Sequence, residues 1–161
     1  MTDNFTRHRP ETAADGDYTR ELFDAGVPDS MHGLLKSHGV GALVVKTGII
    51  FSEISAERTV GTMPVDGNTQ VTGLLHGGAH MVLAETLGSF AAVAHAGEGR
   101  HALGIEIGAT HHRGVRSGTV TGTASAIHLG RTLAVHEVVV TDDDGRRLST
   151  ARITNLLRDD K

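Results

Sequence analysis

GLLHGGAHMVLAETLGSFAAVAHA, residues 73–96, is the stretch on which the fold turns. It is apolar nearly all round, is built largely from the good helix formers Leu, Ala and Met, and reads as a buried helix from Gly73 to Ala96. Such a helix needs apolar cover from more than one direction. The flanks supply strands. Ala42–Ile54 and Arg58–Pro64 are rich in Val, Ile and Thr, are parted by the polar Ser55-Ala56-Glu57, and end at a turn formed by Asp66, Gly67 and Asn68. After Gly97 and Gly99 come four strand-like runs, about His101–Arg113, Gly118–His128, Thr132–Asp142 and Arg147–Leu157. Gly114 to Gly118, Gly130 and the turn Asp142-Asp143-Asp144-Gly145 separate them, which is the punctuation of an antiparallel meander. Sheet and helix each need an apolar partner, so the expected class is α+β, with a curved antiparallel sheet wrapped around one long central helix.

Further out, Ser30–His38 is expected to form a short helix, with Met31, Leu34 and Leu35 at helical spacing and Gly39 as the stop. Residues 1–27 carry few large apolar groups and read as a mobile arm or peripheral helix, leaving 28–161 as the domain. At 161 residues, 39% hydrophobic and 21% charged, one domain is the expectation. With 3% aromatics and 21 glycines, the core must come from Ala, Val, Leu and Ile packed at close backbone distances. A net charge of −4 provides no basic field for nucleic acid. No uncharged apolar run is long enough to span a membrane, and MTDNFTRHRPE lacks the apolar middle of a signal peptide, so a cytoplasmic location is expected. The absence of cysteine removes disulfides, thiol nucleophiles and thiolate metal sites.

Glu85 is the one carboxylate of the 73–96 segment, and no Lys or Arg within it could serve as its partner. An unpaired carboxylate is costly to bury, so Glu85 either reaches an exposed edge or bonds a neighbouring strand, or it performs chemistry. Its context favours chemistry. At Leu74-Leu75-His76-Gly77-Gly78-Ala79 the first-turn N–H groups lack intrahelical partners and carry the positive end of the dipole, so they can hold a developing oxyanion. The two glycines either let a ligand approach the backbone or permit close packing on a strand. His76 and Glu85 are nine residues apart. At about 100° and 1.5 Å per residue they fall on opposite sides of a helix, roughly 13 Å apart along its axis. If both serve one site, two subunits must build it. Ser89, one turn beyond Glu85, can bond the carboxylate or a reacting acyl oxygen.

Eleven histidines raise the question of metal. His76 and His80 have i, i+4 spacing, but the residue after His76 is Gly77 rather than the Glu of a zincin helix. His111 and His112, adjacent on a strand, point to opposite faces and cannot chelate one ion together. No metal site is therefore expected. GxSxG, P-loop and GxGxxG signatures are also missing.

MPVDGNTQVTGLLHGGAHMVLAETLGSFAA, residues 63–92, resembles the signature of hotdog-fold acyl-CoA thioesterases of the phenylacetate-type branch. GIEIGATHHRGVRSGTVTGTASAIHLGRTLAVHEVVVTDDDGRRLSTARI, residues 104–153, extends the likeness and is most similar to 1,4-dihydroxy-2-naphthoyl-CoA thioesterases and the proofreading thioesterases of enterobactin synthesis. Together about residues 40–157 are covered. The resemblance implies a hotdog fold, a homodimer or dimer of dimers, and hydrolysis of an aryl or otherwise bulky acyl-CoA. It implies Glu85 as nucleophile or general base, Gly77 as backbone donor to the thioester oxygen, His76 in support of that polarisation, Gln70 placing the nucleophile or water, and Ser89 beside Glu85. It also implies that CoA is held by Gly104, by His111, His112, Arg113 and Gly114, and by His128, Leu129, Gly130, Arg131, Thr132 and Leu133. Arg113 and Arg131 suit phosphate. Gly114 stands where those relatives often carry Pro, and Thr132-Leu133 replaces a more polar pair. No cofactor is implied, since CoA is part of the substrate, and a thioester needs little beyond oxyanion donors and a carboxylate. Two alternatives share the fold: a hydratase or dehydratase on acyl thioesters, whose His–acid arrangement has different surroundings, and a non-catalytic acyl-CoA-binding module, which should lack the carboxylate.

Overall fold

Period-two burial along the strands builds the sheet: on one strand Ala134, His136, Val138 and Val140 turn inward, and on its neighbour Ser149, Ala151, Ile153, Asn155 and Leu157 do the same. The computed structural model describes residues 17–35 and 38–160. Three short helices come first, α1 (Thr19–Asp24), α2 (Asp29–Leu35) and α3 (Ala42–Thr47), followed by β1 (Ile50–Ile54) and β2 (Arg58–Pro64). The long helix α4 (Gly77–Ala96) leads into β3 (Arg100–His111), β4 (Thr119–Leu129), β5 (Leu133–Thr141) and β6 (Arg147–Asp159). The six strands form one antiparallel sheet in the order β1-β2-β4-β5-β6-β3, with α4 across its inner face. This is the expected α+β arrangement of curved sheet and central helix.

Glycines set how closely α4 approaches. A Cβ on Gly61 would stand 2.9 Å from one Leu87 methyl, and a Cβ on Gly122 would stand 2.5 Å from the other, so these strand glycines leave the room that Leu87 occupies. In the same way Gly88 lets the helix backbone come down onto the Cγ2 methyl of Ile153. Leu83, Ala84, Leu87, Ala91 and Ala92 are fully buried as a result.

Three expectations change. Ala42–Ile54 is not one strand: Ala42–Thr47 is helix α3, stopped by Gly48 in the left-handed conformation (φ +71°), and the strand begins at Ile50. The β-branched valines favour extended chain only weakly, and burial of Val44 with the glycine stop outweighs that preference. Helix α4 begins at Gly77 rather than Gly73, because Leu75 bridges to Thr69 and donates its N–H to the Val115 carbonyl, so Leu74 and Leu75 plug a loop. Of the arm expected over residues 1–27, residues 1–16 lie outside the described residues, while Thr19–Val27 carry α1 and bury Leu22, Ala25 and Val27 in the main core. The Ala25 carbonyl accepts the Phe51 N–H, which covers the outer edge of β1. The helix expected over Ser30–His38 runs from Asp29 to Leu35.

Gly88 yields a stability prediction. Gly→Ala inside a helix ordinarily gains up to about 1 kcal/mol, but a methyl here overlaps Ile153. Gly88→Ala is therefore expected to destabilise by about 1–3 kcal/mol, seen as a lower urea midpoint at unchanged m-value.

Candidate functional site

The residues singled out by the sequence gather in two groups, one beside the middle of α4 and of β3 and reaching toward the C-terminal end of the helix, the other at the start of α4 and the end of β3. The first centres on Glu85, whose carboxylate is exposed on the face of α4 that the sheet leaves open. Ser89 donates its hydroxyl to Glu85 Oε1 at 3.0 Å, with Asn155 Oδ1 a more distant acceptor at 3.4 Å. Asn155 is fully buried, and its Nδ2 lies 3.5 Å from the Gly88 carbonyl oxygen. Gly104 completes the wall, for a Cβ there would stand 3.8 Å from Glu85 Oε1 and 3.7 Å from Asn155 Oδ1. The register of β3 slips between Gly104 and Glu106, so the strand bulges beside the carboxylate. At the C-terminal end of the same helix, the β4–β5 turn carrying His128, Leu129, Gly130, Arg131, Thr132 and Leu133 is tied down. His95 Nε2 meets the Gly130 carbonyl at 3.0 Å, and the Arg100 guanidinium donates to the Arg131 carbonyl.

The second group surrounds the start of α4. His76 is the N-cap: its backbone is extended, and its Nδ1 accepts the Gly78 N–H at 2.8 Å. Gly77 follows as the first helical residue, where the N–H has no partner within the helix. Gln70 lies in the preceding loop with its side chain folded onto Thr72, its Nε2 donating to Thr72 Oγ1 at 2.7 Å and its Oε1 accepting the Thr72 N–H at 2.8 Å. The end of β3 and the loop after it close the group. Gly114 packs on Leu74, and His111 reaches Gly77 from the inner face of the sheet. His112 takes the opposite face, bonding Thr150 Oγ1 at 3.0 Å, as strand alternation requires. Arg113 lies with it in an open groove on the outer face that also contains Glu106, Arg147 and Arg152.

Behind the second group lies His80, buried with Nδ1 3.0 Å from Ser149 Oγ and its ring centroid 5.1 Å from that of His111. Burial, with His111 as a lesser influence, lowers its pKa from 6.5 to about 4. Among the described residues no group of three or more His, Asp or Glu is arranged to hold a metal. None of the described helices is long and apolar enough to cross a membrane.

A carboxylate with a hydroxyl partner, a capped helix start and the wrapped sheet are the features against which known proteins can be compared. The family model described as "Thioesterase superfamily" matches residues 72–149. Proofreading thioesterase EntH of Cronobacter sakazakii is 42% identical over 124 residues, covering 76% of this chain and 90% of the relative. The chain belongs to the thioesterase superfamily. EntH of Klebsiella pneumoniae is 45% identical over 120 residues, 74% of this chain and 88% of its own. Among solved structures, thioesterase PA1618 of Pseudomonas aeruginosa, solved as a mutant, superposes with a TM-score of 0.71 at 39% identity, covering 82% of this chain and 95% of that one. The hotdog fold and a thioester hydrolase activity follow from this membership, and the hydratase and binding-module alternatives lose their support.

Residues beside these two groups that the sequence did not single out include Asn155 and Arg147. Asn155 was readable, since in Ile153-Thr154-Asn155-Leu156-Leu157 it occupies an inward position between two core residues. Arg147 gave no local signal. Only the sheet register brings it beside Arg113, whose Nη1 lies 3.4 Å from its carbonyl oxygen.

His80 gives this site a pH signature. Native His80 takes up its proton near pH 4, whereas the unfolded imidazole does so near 6.5. Between those values the unfolded chain binds more protons, so the stability present above pH 6.5 is lost as pH falls toward 4. The share owed to His80 is on the order of 3 kcal/mol. His80→Gln is expected to flatten this fall, measured by urea unfolding at pH 7 and pH 4.5.

Proposed function

We propose that the chain is an acyl-CoA thioesterase whose active site is completed by a second copy of itself, one subunit contributing Glu85, Ser89 and Gly104 and the other contributing Gln70, His76 and Gly77. The observation that carries this reading is the separation of the two groups along α4, together with the open edge of β3. That strand spans 12 residues at the border of the sheet, with Leu103 47% and Ile105 57% exposed. The opposite edge, β1, has five residues and is covered by the Ala25 carbonyl. Long uncovered edges invite pairing with another strand, and a twofold axis through the middle of β3 would bring the start of one copy against the end of its twin. Glu85 of one subunit then meets the helix start of the other. The same operation brings the β4–β5 turn, with Arg131, toward the partner's His112 and Arg113, which supports a continuous path for pantetheine and phosphates. On the outer face of the sheet, Ile127 stands exposed among Glu106, Glu137, Arg147 and Arg152, a mixture of signs that can pair with its own twofold copy and supports a dimer of dimers.

In the reaction, the Gly77 N–H polarises the thioester carbonyl, His76 caps the helix that aims this donor, and Gln70 positions the attacking group. Two routes then share the same residues. The Glu85 carboxylate adds to the carbonyl carbon, expels CoA thiolate and leaves a mixed anhydride that water hydrolyses; or it takes a proton from water, which itself adds and expels the thiolate. Either way acyl-CoA and water become free acid and CoA. The acyl group is read as aryl or otherwise bulky from the sequence likeness; no cofactor enters the scheme, and its place is the cytoplasm.

Thiol release from a panel of acyl-CoA substrates tests this. Glu85→Ala and Glu85→Gln should each lose roughly 100-fold or more in kcat, and full activity in both would refute the assignment. Turnover in ¹⁸O-water over many cycles separates the routes, because label enters the Glu85 carboxylate only through an anhydride whose Glu85 carbonyl carbon is attacked by water. The assembly is tested by Leu103→Asp with Ile105→Asp, expected to sediment as a folded monomer without thioesterase activity although Glu85 is intact.

A further inference from the structure

His111 was grouped by sequence likeness with the residues that hold CoA, yet its side chain points away from His112 and Arg113, toward the helix start. It pairs with Ser149 across β3 and β6, so the two side chains share the inner face. His80 fills the space beside them, held to Ser149 and tilted at 60° to the His111 ring. The imidazole of His111 thus rests against a fixed buried group, and its free end reaches Gly77: a Cβ added there would stand 3.1 Å from His111 Nε2. A helical Cα–Cβ bond leans toward the N-terminus, the direction in which the first-turn N–H groups also point. His111 Nε2 and the Gly77 N–H therefore flank one small volume at the mouth of the helix. Any larger residue at 77 would fill it, which explains this glycine better than helix packing does. His80, neutral above its depressed pKa, adds no positive charge behind the ring.

We propose that His111 is a second hydrogen-bond donor to the thioester carbonyl oxygen, acting beside Gly77, and that His80 seated on Ser149 is the positioning residue that holds its ring. The proposal rests on the reading of Gly77 as the oxyanion donor. In this role His111 carries its proton on Nε2 and keeps it throughout. Attack on the carbonyl carbon moves the C=O pair onto oxygen, where two N–H groups receive it; the carbonyl re-forms as the C–S bond breaks, and a proton from water ends on the CoA thiolate. Recognition of the CoA nucleotide is left to His112 and Arg113 on the other face.

Substrate truncation separates the two possible roles of His111. One acyl group is presented both as its CoA thioester and as its pantetheine thioester, which has no nucleotide. His111→Ala should lower kcat by roughly 100-fold on both substrates by a similar factor, and His111→Gln, which restores an N–H, should recover much of the loss. His80→Ala should lower kcat in the otherwise native enzyme and add little to His111→Ala, the coupling expected of a residue acting through another. His111 is exposed in the single chain, so its variants should keep the native melting profile; if the alanine variant does not, the glutamine variant carries the comparison. The proposal is overturned if loss of His111 raises only KM for the CoA substrate and leaves pantetheine turnover intact, or if both substrates are unaffected. Absence of thiol release from the unaltered protein would instead overturn the thioesterase reading beneath it.

Discussion

The seating of α4 on the sheet is the constraint from which the rest of the molecule follows. Leu87 enters the space left by Gly61 and Gly122, and Gly88 lets the helix rest on Ile153. Packed interiors resist change even at the scale of one methyl group, so these contacts fix both the depth and the rotation of the helix. Depth brings Gly77 within reach of His111. Rotation turns Glu85 to the face that the sheet does not cover, with Ser89 beside it and Asn155 beneath.

That uncovered face explains how a chain with so few aromatics carries a carboxylate on an apolar helix. Within one subunit Glu85 meets water and avoids the cost of burial. Polar partners are in place nonetheless. Ser89 can give its single hydroxyl proton to either Glu85 or Asn155, and the shorter distance favours the carboxylate. A partner subunit that covers this face would exclude water from a carboxylate already provided with a donor, and would strengthen every hydrogen bond aimed at a reacting carbonyl. On the proposed two-subunit site, one partner covers both the unpaired edge of β3 and the open face of α4.

Much of this was legible in the residues. The long helix, expected over 73–96 and found over 77–96, and the four strands after it were evident from apolar patterning and glycine punctuation, because those signals are local. Glu85 was evident as a charge without a partner in its segment. Ala42–Thr47 misled, since Val44 and Val45 favour strand by intrinsic preference while burial of Val44 and the Gly48 stop decide for helix. Leu74 and Leu75 misled too, for apolar residues that plug a loop look the same in sequence as those that extend a helix.

By itself the sequence determined the class of the fold, the carboxylate at 85, the glycine-rich helix entrance and the family likeness, all of which reside in residue types and short spacings. Tertiary structure alone decided which residues meet. Register places Ser149 opposite His111 and Asn155 opposite Gly104, and helix seating brings His80 and Gly77 onto the first pair and Glu85 onto the second. Those meetings join residues from 19 positions apart in the chain, Glu85 with Gly104, to 69 apart, His80 with Ser149. No local pattern encodes them, because strand register and helix depth are set by the packing of the whole core.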